Sequence, residues 1–331
     1  MNLILLCAGE GTRFRPHTQY RPKPALPFLN IPLACYSLSW AQELKPWRLI
    51  VNTYHLPEQI HQLINSIPHG STEVLFSNEW PRLMGSGGAL AKAANFLSSS
   101  SEFLVMNGDE VFLPERSGFL SEALIRHRSE RRLSSLFVME HPAVGTQFGG
   151  IWADATGRVL GFGKNPIPGS VKGWHFLGAA LHSRRLLDRL SPEVTSNILY
   201  DDLQRAIVEG ELVSIEPVQG WWHETGNEKD YLIATAACLQ ILKNSPPQAQ
   251  LLKSALVQFG SDWTLETLPT GSLLFRPKDL IIPPEVHLKG WNVLGEKVHL
   301  GENVCLENCV LGNEISVSNV NLENQFLIQP L

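Results

Sequence analysis

The stretch "NLILLCAGEGTRFRPHTQYRPKPALPFL", residues 2–29, is an apolar run that stops at two glycines and continues as a proline-punctuated loop rich in cations. An unbroken apolar run suits a strand buried on both faces, and it predicts a central parallel strand over residues 2–8. Gly9 and Gly11, flanking Glu10 at the strand end, allow the backbone to approach an anion and aim successive amides at it. Thr12, Arg13 and Arg15 can complete such a nest. Pro22 and Pro24 stiffen the backbone around Lys23 and fix where its ammonium points. The segment therefore reads either as an anion-holding loop with a lysine clamp or as a proline-rich surface loop with a solvated lysine. It matches neither GxxxxGK[ST] nor GxGxxG.

Outward from this segment the chain alternates. "LACYSLSWAQEL", "PEQIHQLINSI", "GGALAKAANFL" and "GFLSEALIRHRSE" read as helices, while "RLIVNTY", "TEVLFSN", "EFLVMNGDEVF" and "SSLFVME" read as strands. Strand and helix in turn predict a doubly wound α/β sheet with helices on both faces. From Gly149 the texture changes to short strands, with "DATG" marking a hairpin turn, and an antiparallel layer is expected there. Helix returns in "RRLLDRL", in "LYDDLQRAIVEG" and from about Glu228 to Leu242, and "KNSPPQAQ" reads as a linker. Beyond it Ile282, Leu288, Leu294, Leu300 and Leu306 recur every six residues, with Val286, Val298, Val304 and Val310 two places before a slot. A period of six fits short parallel strands winding a small left-handed β-helix of hexapeptide type. The expected organisation is a catalytic-sized domain over 1–242, a linker and transition over 243–279, and a hexapeptide-like module over 280–331.

Composition narrows the function classes. The 331 residues are 44% apolar and 18% charged, with a net charge of −5, so the chain should fold and carries no overall attraction for nucleic acid or anionic membranes. The apolar opening lacks a basic region and runs into glycine too early for a signal or a membrane span, which leads to a cytoplasmic expectation. Five scattered cysteines without a CxxC pair read as reduced, buried thiols rather than a zinc site.

Two carboxylates stand out. Asp109 follows Asn107 and Gly108 at the end of an expected buried strand, at the sheet edge where ligands gather, and it reads either as a metal ligand or as a turn acid. In "GWWHETGN", Glu224 is a second acid, with His223 beside it more readily taken as a packed or surface residue than as a ligand. "RLMGSGGALAKA" presents Gly85, Ser86, Gly87 and Gly88 as a glycine-rich loop opening a helix.

The stretch Leu5–Pro27 resembles the signature of the nucleotide-sugar pyrophosphorylase family, with Gly9, Gly11, Thr12, Arg13, Pro16, Thr18, Pro22, Lys23 and Pro24 in register. The resemblance implies a Rossmann-like mixed α/β domain and a reaction in which a sugar 1-phosphate attacks the α-phosphate of a nucleoside triphosphate, releasing pyrophosphate. It also implies catalytic roles for Arg13, Lys23 and Asp109. Arg13 would hold the departing phosphates, while Lys23 would neutralise the α-phosphate and the incoming sugar phosphate. Leu6, Ala8, Gly9, Gly11, Thr12, Arg13, Gly85, Ser86 and Gly88 would bind the nucleotide. Lys23, Asn107, Gly149 and Lys164 would face the sugar phosphate, and Asp109 with Glu224 would hold Mg²⁺, with Mn²⁺ as the alternative cation.

Three positions depart from the family pattern: Glu224 stands for the usual Asp, Gly163 for Glu and Phe176 for Asn. The phrases "VNTYHLPEQI" and "SGGAL" resemble both mannose-1-phosphate guanylyltransferases and N-acetylmuramate-1-phosphate uridylyltransferases, and the hexapeptide tail leans towards the former. A non-catalytic nucleotide-sugar sensor is the reading from another class. Expected partners are a nucleoside triphosphate and a sugar 1-phosphate, with homo-oligomerisation through the C-terminal module.

Overall fold

The computed structural model describes residues 1–260 and 262–328. Its organising element is the strand Asn2–Leu6, which lies parallel between Arg48–Thr53 and Glu102–Asn107. Leu3 and Leu5 face one apolar core and Ile4 the core on the other side, which is why the run shows no alternation. The strand ends at Leu6, two residues short of the sequence expectation. There the backbone leaves the ladder, because the Cys7 amide donates 2.6 Å to the side-chain oxygen of Asn52 instead.

Glu73–Asn78 extends the sheet beyond Arg48–Thr53 in parallel. On the other side the long strand Lys172–Ser183 runs antiparallel to Glu102–Asn107 and also pairs with Ser134–Met139, making the nine-stranded sheet mixed. Gly150–Ala153 and Val159–Gly163 form the expected hairpin, its turn closed by the Thr156 amide on Asp154 at 2.8 Å. Helices Leu33–Ala41, Pro57–Ser66 and Phe119–Ser129 bury one face of the sheet, and Gly85–Lys92 with the turns after Ile198 covers the other. All five cysteines are free thiols, and among the described residues no helix is long and apolar enough to cross a membrane.

The stretch 243–279 is more regular than a linker. Helix Glu228–Asn244 is followed by a second helix, Pro247–Phe259, and by strands Trp263–Thr267 and Leu273–Pro277. Proline at the first helical position is compatible with a helix start, so "SPPQ" opens an element rather than a spacer.

Leu273–Pro277 then pairs in parallel with His287–Leu294, which pairs with Cys305–Leu311, which pairs with Asn321–Glu323 and Phe326–Leu327. A second face joins His299–Leu300 to Ser316–Val317. His287 opposes Cys305, His299 opposes Ser316 and Cys305 opposes Asn321, so the repeat shortens from eighteen to seventeen to sixteen residues. The shortening moves the buried slots from the six-residue series onto Leu311 and Val317. Asn303, Asn308, Asn319 and Asn324 take the corners at φ near +54°, a region that asparagine tolerates better than most residues. Their amides stack from turn to turn, Asn303 on Asn319 at 2.9 Å and Asn308 on Asn324 at 3.3 Å.

Candidate active site

Three parallel strands ending side by side bring their carboxyl ends to one edge of the sheet, where a ligand can lie. The segment after Asn2–Leu6 crosses this edge in three short turns, Thr12–Phe14, His17–Gln19 and Lys23–Ala25. Gly11 has φ +62° and its carbonyl accepts from the Thr18 hydroxyl at 2.8 Å; a side chain there would run into Thr18 and Lys23. Phe14 is fully buried and anchors the loop, while Arg13 beside it projects into solvent with its side chain 68% exposed.

A cleft of about 280 Å³ opens between this loop and the start of helix Gly85–Lys92. Leu6, Ala8, Gly9, Gly11, Lys23, Gly85, Ser86, Asn107 and Asp109 all line it, so most of the residues singled out from the sequence meet in one place. Lys23 is the central cation. The residue is only 8% exposed, and its ammonium lies 2.8 Å from Asp109 Oδ2. Burial alone would lower its pKa, but the opposing Asp109 carboxylate, with Glu110 and Glu224 nearby, outweighs this and keeps it above the ordinary value. The lysine is thus held protonated at the strand end.

Glu110 was not singled out from the sequence. It accepts from Trp222 Nε1 at 2.9 Å and from Asn107 at 3.3 Å, and burial, followed by the Asp109 charge, raises its pKa to about 7. Thr225 donates to the Asp109 carbonyl at 3.1 Å, which brings the Trp222–Gly226 segment to the same strand end. Glu224 on that segment lies 3.9 Å from Arg13. Among the described residues no group of three or more His, Cys, Asp or Glu side chains forms a complete cation cage. Asp109 lines this cleft and Glu224 stands on the Trp222–Gly226 segment brought to the same strand end; both carboxylates are hard oxygen donors of the kind that suits Mg²⁺, which takes one or two carboxylates and fills its shell with other oxygens.

A second cleft, of about 380 Å³, is lined by Arg13, His141, Phe148, Trp222, His223 and Glu224 among others. Its wall is aromatic: the His175 ring lies 4.1 Å from Trp222, and His141 and Phe148 pack around both. Of the remaining sequence candidates, Thr12 lies on the loop but lines neither cleft, and Gly88 is buried within its helix. Gly149 abuts the Tyr200 hydroxyl, and Lys164 is exposed past the strand Val159–Gly163; neither lines a cleft.

A buried relay also went unread in the sequence. Asn52 accepts from the Cys7 amide and donates to Glu79 at 2.6 Å, and Glu79 accepts from the Met84 amide at 2.6 Å. It ties the segment after Asn2–Leu6 to the glycine-rich loop. The only signal was a polar residue near the end of the buried strand Arg48–Thr53 and an acid just past the half-buried strand Glu73–Asn78, which pattern reading takes for turns.

A family model described as "Nucleotidyl transferase" matches residues 2–241. The chain is 23% identical over 256 residues to the mannose-1-phosphate guanylyltransferase catalytic subunit beta of Dictyostelium discoideum, covering 75% of this chain and 67% of that one. It is 26% identical over 242 residues to the bifunctional protein GlmU of Methanococcus maripaludis, covering 71% of this chain and 54% of the relative. Among solved structures, a UDP-glucose pyrophosphorylase from Acinetobacter baumanii superposes with a TM-score of 0.60 at 19% identity, over 77% of this chain and 98% of that one. At that identity the likeness concerns the fold.

Proposed function

We propose a function from one premise: the chain belongs to the nucleotidyl transferase family. It transfers a nucleoside monophosphate from a nucleoside triphosphate to a sugar 1-phosphate and releases pyrophosphate. The observation that carries this reading is the Lys23–Asp109 pair at 2.8 Å, set in a cleft edged by Gly9, Gly11, Gly85 and Ser86. A protonated lysine and a strand-end carboxylate side by side can receive a phosphate and its cation together.

In this reading the amides around Gly9–Thr12 and the buried Lys23 hold the α-phosphate, and Arg13 reaches the β- and γ-phosphates from the rim. Asp109 and Glu224 would hold Mg²⁺. Bound Mg²⁺ supplies charge neutralisation and orients phosphate oxygens. A sugar-phosphate oxygen attacks the α-phosphorus in line, the bond to the β-phosphate oxygen breaks, and pyrophosphate leaves. Lys23 and Arg13 screen the repulsion between two polyanions, so the protein contributes chiefly position and charge.

The names of the curated relatives support mannose 1-phosphate and a guanylyl group as the first substrate pair. The second reading, a uridylyl group on an amino sugar such as N-acetylmuramate 1-phosphate, draws on Gly163 and Phe176, where the family's usual polar side chains are missing. The parallel coils after Leu273 support a left-handed β-helix, and we place the domain boundaries near residues 242 and 280. Pyrophosphate release from each triphosphate and sugar 1-phosphate pair tests the reading; highest turnover with GTP and mannose 1-phosphate is expected, and preference for UTP with an amino sugar would select the second.

A further inference from the structure

The phosphate loop lacks a regular ladder to hold it, yet it must present Arg13 and Lys23 in fixed positions. Its inward anchor is Phe14, which is 1% exposed. Phe14 packs edge-on against Tyr231 at 5.6 Å and against Phe326 at 5.4 Å. Phe326 also lies 4.9 Å from the ring of His17 and 4.6 Å from Tyr231. Phe326 therefore touches the first two of the loop's three short turns, although it belongs to the last described strand of the C-terminal coils.

Two polar links accompany this aromatic contact. One Glu228 oxygen lies 3.4 Å from His17 Nε2 while the other accepts from the Phe326 amide at 3.2 Å, so one carboxylate bridges loop and coil. Past Lys23, Asn30 donates to the Leu294 carbonyl at 2.8 Å. The coils thus grip the segment on both sides of the lysine.

From this geometry we propose that Phe326 is a positioning residue: it holds the loop bearing Arg13 in its triphosphate-binding shape, so the C-terminal coils complete the nucleotide site from behind. The role at the triphosphate rests on the function proposed above; the hold on the loop does not. Removing the ring opens the space beside Phe14 and lets the loop sample other conformations, and apparent affinity falls with the fraction of competent loop. Among the described residues the rings of the sugar-facing wall, His141, Phe148, His175 and Trp222, pack on one another and form no ring pair with Phe326, so this wall should be spared.

The test is amide hydrogen exchange on the full chain at Phe14, Arg15, Gln19 and Tyr20, whose amides close the two turns. In Phe326→Ala their exchange should rise by about tenfold or more, while Phe326→Leu and Leu300→Ala, the latter deep in the coils, stay within about threefold of wild type. The KM for the triphosphate should rise by about tenfold in Phe326→Ala, with the KM for the sugar 1-phosphate within about threefold. Should Phe326→Ala fail to fold, Glu228→Ala, which cuts the bridge at a half-exposed side chain, should still speed exchange at the same amides. Unchanged exchange in the folded variants, or an equal rise in Leu300→Ala, overturns the proposal. Faster exchange in a protein that turns over no substrate pair leaves the positioning role standing and removes the proposed reaction.

Discussion

Lys23 differs from an ordinary surface lysine in having been desolvated and then compensated by Asp109. Replacing it with methionine keeps the buried stem and removes the charge. The expected result is a fall in kcat/KM of about 10²–10³-fold, the range seen when one preorganised donor to a developing charge is lost, with an unchanged circular dichroism spectrum. A fall of less than about tenfold would mean that the ammonium does not meet the reacting phosphates. At this scale the sequence was most legible in the loop, because Gly11 and Lys23 do their work through local backbone geometry that leaves a spacing. Glu79, Asn52 and Glu110 each depend on at least one partner 27 to 112 residues away, and no local pattern records such pairings.

The strand Lys172–Ser183 carries His182 into the sheet. The ring is 1% exposed, bonded through Nδ1 to Ser134 at 2.7 Å, and its Nε2 has no partner; burial, then the neighbouring His127, lowers its pKa to about 3. Its unfolded pKa is near 6.5, so from there down to about pH 3 the unfolded chain takes up a proton that the native state refuses. Stability should therefore fall as pH falls through this window, by at most about 1.4 kcal/mol per pH unit from this residue. Chemical denaturation of His182→Asn at pH 6, 5 and 4 should give a flatter dependence than wild type, whatever its absolute stability; an identical slope would contradict the assignment. Among the elements, strands and amphipathic helices were legible from period alone. The helix Pro247–Phe259 was not, although Ala249, Leu252, Ala255 and Leu256 give it a buried stripe, because the two prolines at its start, Pro246 and Pro247, carry the stronger local signal. The coils were legible as a period of six, but their shortening repeat depends on stacking between turns and cannot be counted along the chain.

At the scale of the whole molecule, the division into domains drawn from the sequence meets a shared core. Phe275, Val293, Val310, Phe326 and Ile328 from the C-terminal coils belong to the same buried cluster as Leu3, Phe14, Phe28 and Tyr231. Elements that share a core lose it together, so calorimetry of the full chain is expected to give one cooperative transition, with calorimetric and van't Hoff enthalpies in agreement. Two separated transitions would instead mean that the coils unfold as an independent unit. The sharing was not legible because each segment has its own period and neither shows which face the other will cover. The most direct test of the central claim is pyrophosphate release in Mg²⁺ from a matrix of the common triphosphates and sugar 1-phosphates, run on wild type and on Asp109→Asn. Turnover of at least one pair by wild type, with formation of the matching nucleotide sugar and its loss in a folded Asp109→Asn variant, is the expected result; no product from any pair, or near-native turnover in the variant, would contradict it.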